Sequence, residues 1–279
     1  MSKTAKNLFV RVRACLCESD VDEKLRLATE LADDWQAGRL LRQPVELEDV
    51  VEAGRPKKPE LVPPRQLKKR SPKSEEGRLA LLHAVTHIEF NAINLACDAA
   101  FRFRDMPEAY YADWIRVAAE EAEHFQMLRQ RLSDGGRDYG DYPAHNGLWE
   151  MALTTAHDLL VRMALVPRML EARGLDVNPG MSRRFEQVGD LQTVEALKII
   201  LRDEVGHVEI GSRWFHYLCE ERGLEPEETY FGLLNEYMTG RVSCPLHKTA
   251  RLQAGFTERE LERLEAMCRG GRAREIIST

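Results

Sequence analysis

The chain has 279 residues, of which 43% are hydrophobic and 31% are charged, and its formal net charge is −6. This composition is typical of a globular protein with a sizeable core, and the acidic balance gives no general reason to expect a nucleic-acid partner. No apolar run approaches the roughly 20 residues that span a bilayer. The six dispersed cysteines predict neither a disulfide framework nor a zinc site. We therefore expect a cytoplasmic protein without a membrane partner.

Helical periodicity of apolar residues recurs along the chain, whereas sustained alternation of apolar and polar residues is absent. A first amphipathic helix is predicted over residues 20–41, with Asp20 as its N-cap. Long helices are then predicted over about 75–103, 107–133, 146–173 and 190–222, and shorter ones around 226–238 and 257–269. Asp190 is the expected N-cap of the fourth long helix. The pattern predicts an all-α fold.

The clearest boundary in the chain is the segment 53–74, which holds five prolines, eight Lys or Arg residues and one acid. Such a composition favours an extended segment that crosses a surface. We read its basic stretch, Arg65–Arg70, as a solvated linker rather than a phosphate-binding site. The predicted organisation is an N-terminal helical extension (1–52), a proline-rich basic linker (53–74), a helical bundle (75–222) and a C-terminal helical extension (223–279).

Two of the long helices place a Glu-x-x-His motif on an apolar stripe: Glu121 with His124, and Glu204 with His207. Positions three residues apart share one face of a helix, so each motif aims a carboxylate and an imidazole at one point. Burying a lone carboxylate is costly unless a cation or a metal ion accompanies it. Four-helix bundles that bind two metal ions use two such helices and one glutamate from each of the other two. The repeated motif therefore predicts a two-metal site.

Glu89 lies on the apolar stripe of the first long helix. Glu89 and Glu121 both lie 14 residues from the predicted turn between their helices, a distance of roughly 21 Å along each helix. They should therefore lie at the same height in a helical hairpin.

Glu171 is the in-stripe glutamate of the third long helix, but it lies near the predicted end of that helix. Either the helix continues past Gly174, or a break near Pro167 changes its register. His157 and Glu150 remain alternative ligands. The predicted metal ligands are Glu89, Glu121, His124, Glu171, Glu204 and His207.

Several other polar and aromatic residues have a second interpretation. His83 and His87 are one helical turn apart, but position 87 faces about 200° away from Glu89, which favours a structural or supporting role. Asp203 is as consistent with an exposed residue as with one that orients a ligand histidine. The aromatic residues Tyr110 and Trp114, with Tyr111 between them, are interpreted as core packing rather than redox carriers.

Four stretches resemble the ferritin-like superfamily, and a bacterial branch of unknown function within it, over about residues 10–222: "HIEFNAINLACDAAFRF", "EEAEHFQMLRQRL", "LVPRMLEARGLDVNPGM" and "LRDEVGHVEIGSRWF". The "EAR" at 171–173 is similar to the third-helix ligand segment of the tRNA-modifying di-iron hydroxylases, which favours Glu171 over His157. The resemblance implies a ferritin-like four-helix bundle with a di-iron carboxylate centre. It implies no particular substrate.

Carboxylate and imidazole ligands in this pattern suit iron or manganese better than zinc. The leading functional hypothesis is an O2-activating oxidoreductase with two iron ions, or manganese, that oxidises a small molecule or a modified nucleoside. It predicts an electron-donor protein as partner and no catalytic side chain beyond the metal ligands; an RNA substrate stays open. Two alternatives are a ferroxidase or iron-handling protein, and a helical interaction module with a structural metal site.

Overall fold

A computed structural model describes residues 6–68, 73–238 and 242–277, and the side chains of its last helix as far as Cys268. All the secondary-structure elements in these ranges are helices, apart from two isolated β-bridges, which confirms the all-α prediction. None of the helices described has the length and apolarity needed to cross a membrane.

The chain divides into two compact units, Met1–Thr154 and Thr155–Thr279. The first unit contains α1 (Leu8–Cys17), α2 (Val21–Gln36), α3 (Glu75–Arg102), α4 (Glu108–Asp134) and α5 (Gly147–Thr154). The second contains α6 (Leu159–Leu165), a π-helical turn (Val166–Glu171), α7 (Ala172–Glu186), α8 (Leu191–Glu221), α9 (Pro226–Tyr237), α10 (Lys248–Gln253) and α11 (Glu258–Ile277).

Helices α3 and α4 form the central antiparallel hairpin of the first unit. Near the turn, the Tyr110 hydroxyl donates a hydrogen bond to the Ala99 carbonyl at 3.1 Å. Farther from the turn, His124 Nδ1 lies 3.6 Å from Glu89 Oε2. These two pairings fix a register in which Glu89 lies level with the Glu121–His124 motif, as the sequence predicts.

Helices α1 and α2 pack against this hairpin through a buried lysine. Lys24 Nζ donates hydrogen bonds to the carbonyls of Cys15 (2.8 Å) and Leu16 (3.1 Å) and to Asn94 Oδ1 on α3 (2.6 Å). Asp20 caps α2 through a hydrogen bond from the Glu23 N–H, as predicted. The α1–α2 pair is thus fixed to α3 by one cation.

The proline-rich segment has no regular secondary structure up to a short 3-10 helical turn at Pro64–Gln66. Val62 N–H donates to the Ala144 carbonyl at 2.8 Å, and Ala144 N–H donates to the Glu60 carbonyl at 3.0 Å. Lys69 and Arg70, at the end of the basic stretch, lie outside the described residues.

The prediction of one continuous third helix over residues 146–173 is wrong. The segment is divided into α5, α6, the π-helical turn and α7, and α7 continues past Gly174 to Glu186. Both departures considered for this helix therefore occur: a break in the helix at Pro167 and a continuation beyond Gly174.

Local hydrogen bonds explain where the third helix breaks. Asp158 accepts a hydrogen bond from the Leu160 N–H at 2.8 Å and so begins a new helix. Arg162 is buried and donates from Nε to Thr155 Oγ1 at 2.6 Å. Pro167 has no backbone N–H, so it cannot complete the α-helical hydrogen-bond ladder.

Helices α7 and α8 are antiparallel partners in the second unit. Asn178 Nδ2 donates to the Leu197 carbonyl at 2.9 Å. Near the other end, the π-helical turn touches α8, where a Cβ added at Gly211 would lie 2.3 Å from Pro167 Cβ. Asp190 caps α8 through the Thr193 N–H, as predicted.

The six dispersed cysteines, which predict no disulfide framework, nevertheless include one bonded pair. Cys244 and Cys268 are bonded to each other across 24 residues of sequence. The pair connects the segment before α10 to α11. Their spacing matches no local motif, and only the tertiary structure brings the two thiols together.

Candidate metal centre

The α3–α4 hairpin gathers Glu89, Glu121 and His124 into one buried cluster. All three residues are at most 2% exposed. His124 Nδ1 lies 3.3 Å from Glu121 Oε2 and 3.6 Å from Glu89 Oε2. Each residue offers a ligand atom, and these atoms lie within 4.8 Å of one another. The first unit therefore brings together all three residues that its sequence predicts as ligands.

Two aromatic residues that follow ligand candidates in the sequence pack together with a third. Phe90 follows Glu89 on α3 and Phe125 follows His124 on α4, and their ring centroids are 5.7 Å apart. Tyr139, from the loop after α4, packs on both rings, with centroids 5.4 Å from Phe90 and 5.0 Å from Phe125. The burial of Glu89, Glu121 and His124 lowers the local dielectric constant and strengthens the electrostatic interactions among them.

Electrostatics in the metal-free cluster favour proton retention. Burial, followed by the nearby charge of Glu121, raises the pKa of Glu89 to about 8. Burial disfavours the charged form of His124, but its interactions with the Glu121 and Glu89 carboxyl groups outweigh this effect and raise the pKa of His124 to about 12. Near neutral pH, Glu89 is therefore protonated and His124 is an imidazolium. In the metal-free protein, the protons on Glu89 and His124 supply the positive charge that a metal ion would bring.

The donor set fits a divalent metal ion. Two carboxylates and one imidazole are the ligand types that iron and manganese bind in carboxylate-rich sites. Glu89 Oε2 is buried and has no hydrogen-bond partner among the described residues. A metal ion would give this oxygen a direct partner, and would displace the protons from Glu89 and His124.

The second unit places its predicted ligands on α8 and on the π-helical turn. Glu204 is 8% exposed and His207 1% exposed, and Glu204 Oε2 and His207 Nδ1 are buried. Glu171 ends the π-helical turn, and its Oε2 is also buried. Asn178 on α7 pairs with Leu197 on α8, and Pro167 in the π-helical turn lies against Gly211 on α8. In this register Glu171 lies level with residues 204–207.

The two alternative third-helix ligands have different surroundings. His157 is exposed, and its Nε2 lies 3.4 Å from the Tyr237 hydroxyl, with the two rings stacked. Glu150 is exposed on α5. Of the three candidates, Glu171 is the one with a buried carboxylate oxygen.

The two histidines of α3 that were assigned a structural role anchor the loop after α4. His83 Nε2 accepts a hydrogen bond from the Gly140 N–H at 2.9 Å, and His87 Nδ1 lies 2.8 Å from the Tyr139 hydroxyl. Burial lowers the pKa of each histidine to about 4, so both are neutral near pH 7. His87 thus holds Tyr139, which packs on Phe90 and Phe125.

Other residues with two interpretations also have clear contacts. Tyr110 and Trp114 are buried on α4 with ring centroids 6.2 Å apart, in agreement with a packing role. Asp203 Oδ1 accepts a hydrogen bond from Arg202 Nε at 2.8 Å. The sequence did not single out Arg168, which is completely buried in the π-helical turn. Its one local signal is its place directly after Pro167 in an apolar helical stretch.

Fold and site together define an all-helical protein with a buried cluster of glutamates and histidine that can hold a metal ion. The chain belongs to the family described as "Protein of unknown function (DUF455)", whose model matches residues 17–262. It is 45% identical over 276 residues to an "Uncharacterized protein" of Haemophilus influenzae, covering 94% of this chain and 95% of that relative. No solved structure matches the chain.

Proposed function

We propose that this protein is a ferritin-like, O2-activating di-iron oxidoreductase, with manganese as an alternative metal, that oxidises a small molecule or a modified nucleoside. An electron-donor protein supplies its reducing equivalents. Six side chains hold the two metal ions: Glu89, Glu121, His124, Glu171, Glu204 and His207.

The single observation that carries this proposal is the convergence of Glu89, Glu121 and His124 in the core of the α3–α4 hairpin. Each of these side chains costs free energy when it is buried without a counter-charge. A packed apolar residue at any of the three positions would be less costly. A metal ion gives a reason for the whole cluster at once.

The second unit supports the count of two ions. Glu171, Glu204 and His207 repeat the composition of the first set, with two carboxylates and one imidazole. Four carboxylates carry a charge of −4, which two divalent cations balance. This matches the ligand pattern of two-metal helical bundles.

When bound, such a centre supplies O2 activation. The protein's own part is to bind and orient the ions and to exclude water from them. Glu89 and His124 give up their protons when metal binds, since both must become ligands in their deprotonated forms.

The experiment is anaerobic loading of metal-free protein with Fe(II), followed by O2. Bound iron is measured before exposure. O2 uptake and Fe(II) oxidation are then followed with and without ascorbate as an electron source. The matched control is the Glu121→Ala, Glu204→Ala double variant.

The proposal predicts about two bound iron ions per chain and O2 uptake that ascorbate sustains in the parent protein but not in the double variant. A ferroxidase would instead oxidise Fe(II) in many-fold excess over the chain without needing ascorbate. A structural metal site would hold iron and consume no O2. Either of these results would contradict the proposed reaction.

A further inference from the structure

The π-helical turn Val166–Glu171 is an unusual conformation that the surrounding structure must hold in place. Turns of this kind are rare in proteins, and many of them occur at functional sites. Here the turn ends at Glu171 and touches α8 through Pro167 and Gly211. The direction of the Glu171 carboxylate therefore depends on what fixes this turn.

Arg168 is the side chain that links the turn to the rest of the second unit. It is fully buried, and its Nη2 donates to Glu260 Oε1 of α11 at 2.7 Å. Its guanidinium carbon lies 4.8 Å from the ring centroid of Phe215, 4.4 Å from that of Tyr230 and 4.7 Å from that of Phe256. One side chain thus contacts α8, α9, α11 and the segment before α11.

Hydrogen bonds also fix the backbone of Arg168 and the side chain of its ion-pair partner, Glu260. The Tyr230 hydroxyl donates to the Arg168 carbonyl at 3.1 Å, which fixes the turn itself. Glu260 Oε2 accepts from the Thr257 N–H at 2.8 Å, and Thr257 Oγ1 accepts from the Glu260 N–H at 3.1 Å. This reciprocal pair is a capping box that orients the glutamate towards Arg168.

Stability alone does not account for a buried arginine at this position. Its Nε and Nη1 have no hydrogen-bond partner among the described residues. Replacing a buried ion pair with well-packed apolar side chains of similar volume is often neutral or stabilising. A role in positioning the turn explains the buried arginine, because its planar guanidinium fits between three rings and a carboxylate in one orientation.

We propose that Arg168 is a positioning residue for Glu171. The inference rests on the proposed function. Arg168 fixes the conformation of the π-helical turn and thereby maintains the contribution of Glu171 to metal affinity. Arg168 acts three residues away from the ligand, through the backbone, and does not touch the metal.

The test uses the full chain with Arg168→Met and Glu260→Gln together, so that no uncompensated charge stays buried. Arg168→Lys is a second variant that keeps the ion pair and loses the stacked plane. The matched control is Arg263→Met. Arg263 also stacks on a ring (Phe231, 3.9 Å) and pairs with Glu227 at 2.6 Å, but it contacts α9 rather than the turn.

Two quantities are measured: amide hydrogen exchange over residues 166–172 in metal-free protein, and the dissociation constant for Mn(II) or Fe(II). In the Arg168 variants, exchange of the turn should quicken at least about 10-fold and metal should bind about 10- to 100-fold more weakly. Arg263→Met should change neither quantity. Unchanged exchange and affinity in the Arg168 variants would overturn the inference.

A double-mutant cycle with Glu171→Gln separates positioning from general destabilisation. If Arg168 acts through Glu171, its replacement should cost less than about 2-fold in affinity once Glu171 is already Gln. If the Arg168 replacement weakens metal binding by the same factor in the Glu171→Gln background as in the parent, the inference is overturned and the proposed function stands. A parent protein that binds neither Fe(II) nor Mn(II) would overturn both.

Discussion

The backbone of α8 at Gly211 lies directly against the ring of Pro167 in the π-helical turn. A Cβ at position 211 would lie 2.3 Å from Pro167 Cβ and 2.4 Å from its Cγ. The proline ring is rigid, so only a shift of α8 or of the turn could make room. Because Gly211 lies one helical turn beyond His207 and Pro167 lies four residues before Glu171, this contact sets the spacing of the second ligand set.

Gly211→Ala should therefore destabilise the protein by about 1–3 kcal/mol through overpacking and weaken metal binding. Thermal unfolding and metal titration check the two effects. Gly206→Ala is the matched control on the same helix, since a Cβ there meets nothing within 4 Å. It should stabilise the helix by about 0.5–1 kcal/mol. Equal behaviour of the two variants would contradict the close contact.

The α8 motif is tested by single ligand deletions. His207→Ala and Glu204→Ala should each lose metal while the helix content in circular dichroism stays unchanged, because each removes one ligand from a long, capped helix. Glu209→Ala is the control, because Glu209 is half-exposed and pairs with Arg213 at 3.4 Å. If both ligand variants retain metal as tightly as Glu209→Ala, α8 contributes no ligands.

The raised pKa of Glu89 predicts how the stability of the metal-free protein depends on pH. A carboxyl group whose pKa rises from 4.5 to about 8 on folding binds its proton more tightly in the folded state. Its contribution to stability is complete below pH 4.5 and is lost as pH rises to about 8. The free energy of unfolding should fall across this window.

Glu89→Gln removes the titrating group and keeps its shape. In the presence of a chelator, urea unfolding at pH 5 and pH 8 should show a smaller loss of stability for this variant than for the parent. Each tenfold change in the proton affinity of Glu89 on folding corresponds to about 1.4 kcal/mol of stability at most. An identical pH dependence in both proteins would mean that Glu89 is not protonated in the folded state.

The third-helix ligand is tested by a pair of variants. Glu171→Gln keeps the side-chain shape, removes one negative charge and should weaken metal binding. His157→Ala removes an exposed ring that stacks on Tyr237 and should leave the metal stoichiometry unchanged. Inductively coupled plasma analysis of the two purified variants reports the difference. The opposite pattern would assign the ligand to His157.

The α3–α4 hairpin was predictable from sequence because its determinants are local. A short connection, two apolar stripes and equal distances from the turn place Glu89 level with Glu121, and the structure has this register. The caps at Asp20 and Asp190 were predictable for the same reason, since each hydrogen bond spans only three residues.

The third-helix region was not predictable to the same degree, because its determinants are distant in sequence. Arg168 is paired with Glu260, 92 residues away, and three rings from separate segments surround it. The Cys244–Cys268 disulfide likewise depends on tertiary proximity. Apolar periodicity reports which face of a helix is buried, but not that a π-helical turn interrupts it.

Metal content tests the central claim most directly. Protein freshly purified from iron-supplemented cells should contain about two iron or manganese ions per chain. The Glu121→Ala, Glu204→Ala double variant, prepared in parallel, should contain close to none. A parent protein that repeatedly contains no metal or only zinc, or a double variant that contains as much iron as the parent, would contradict the account.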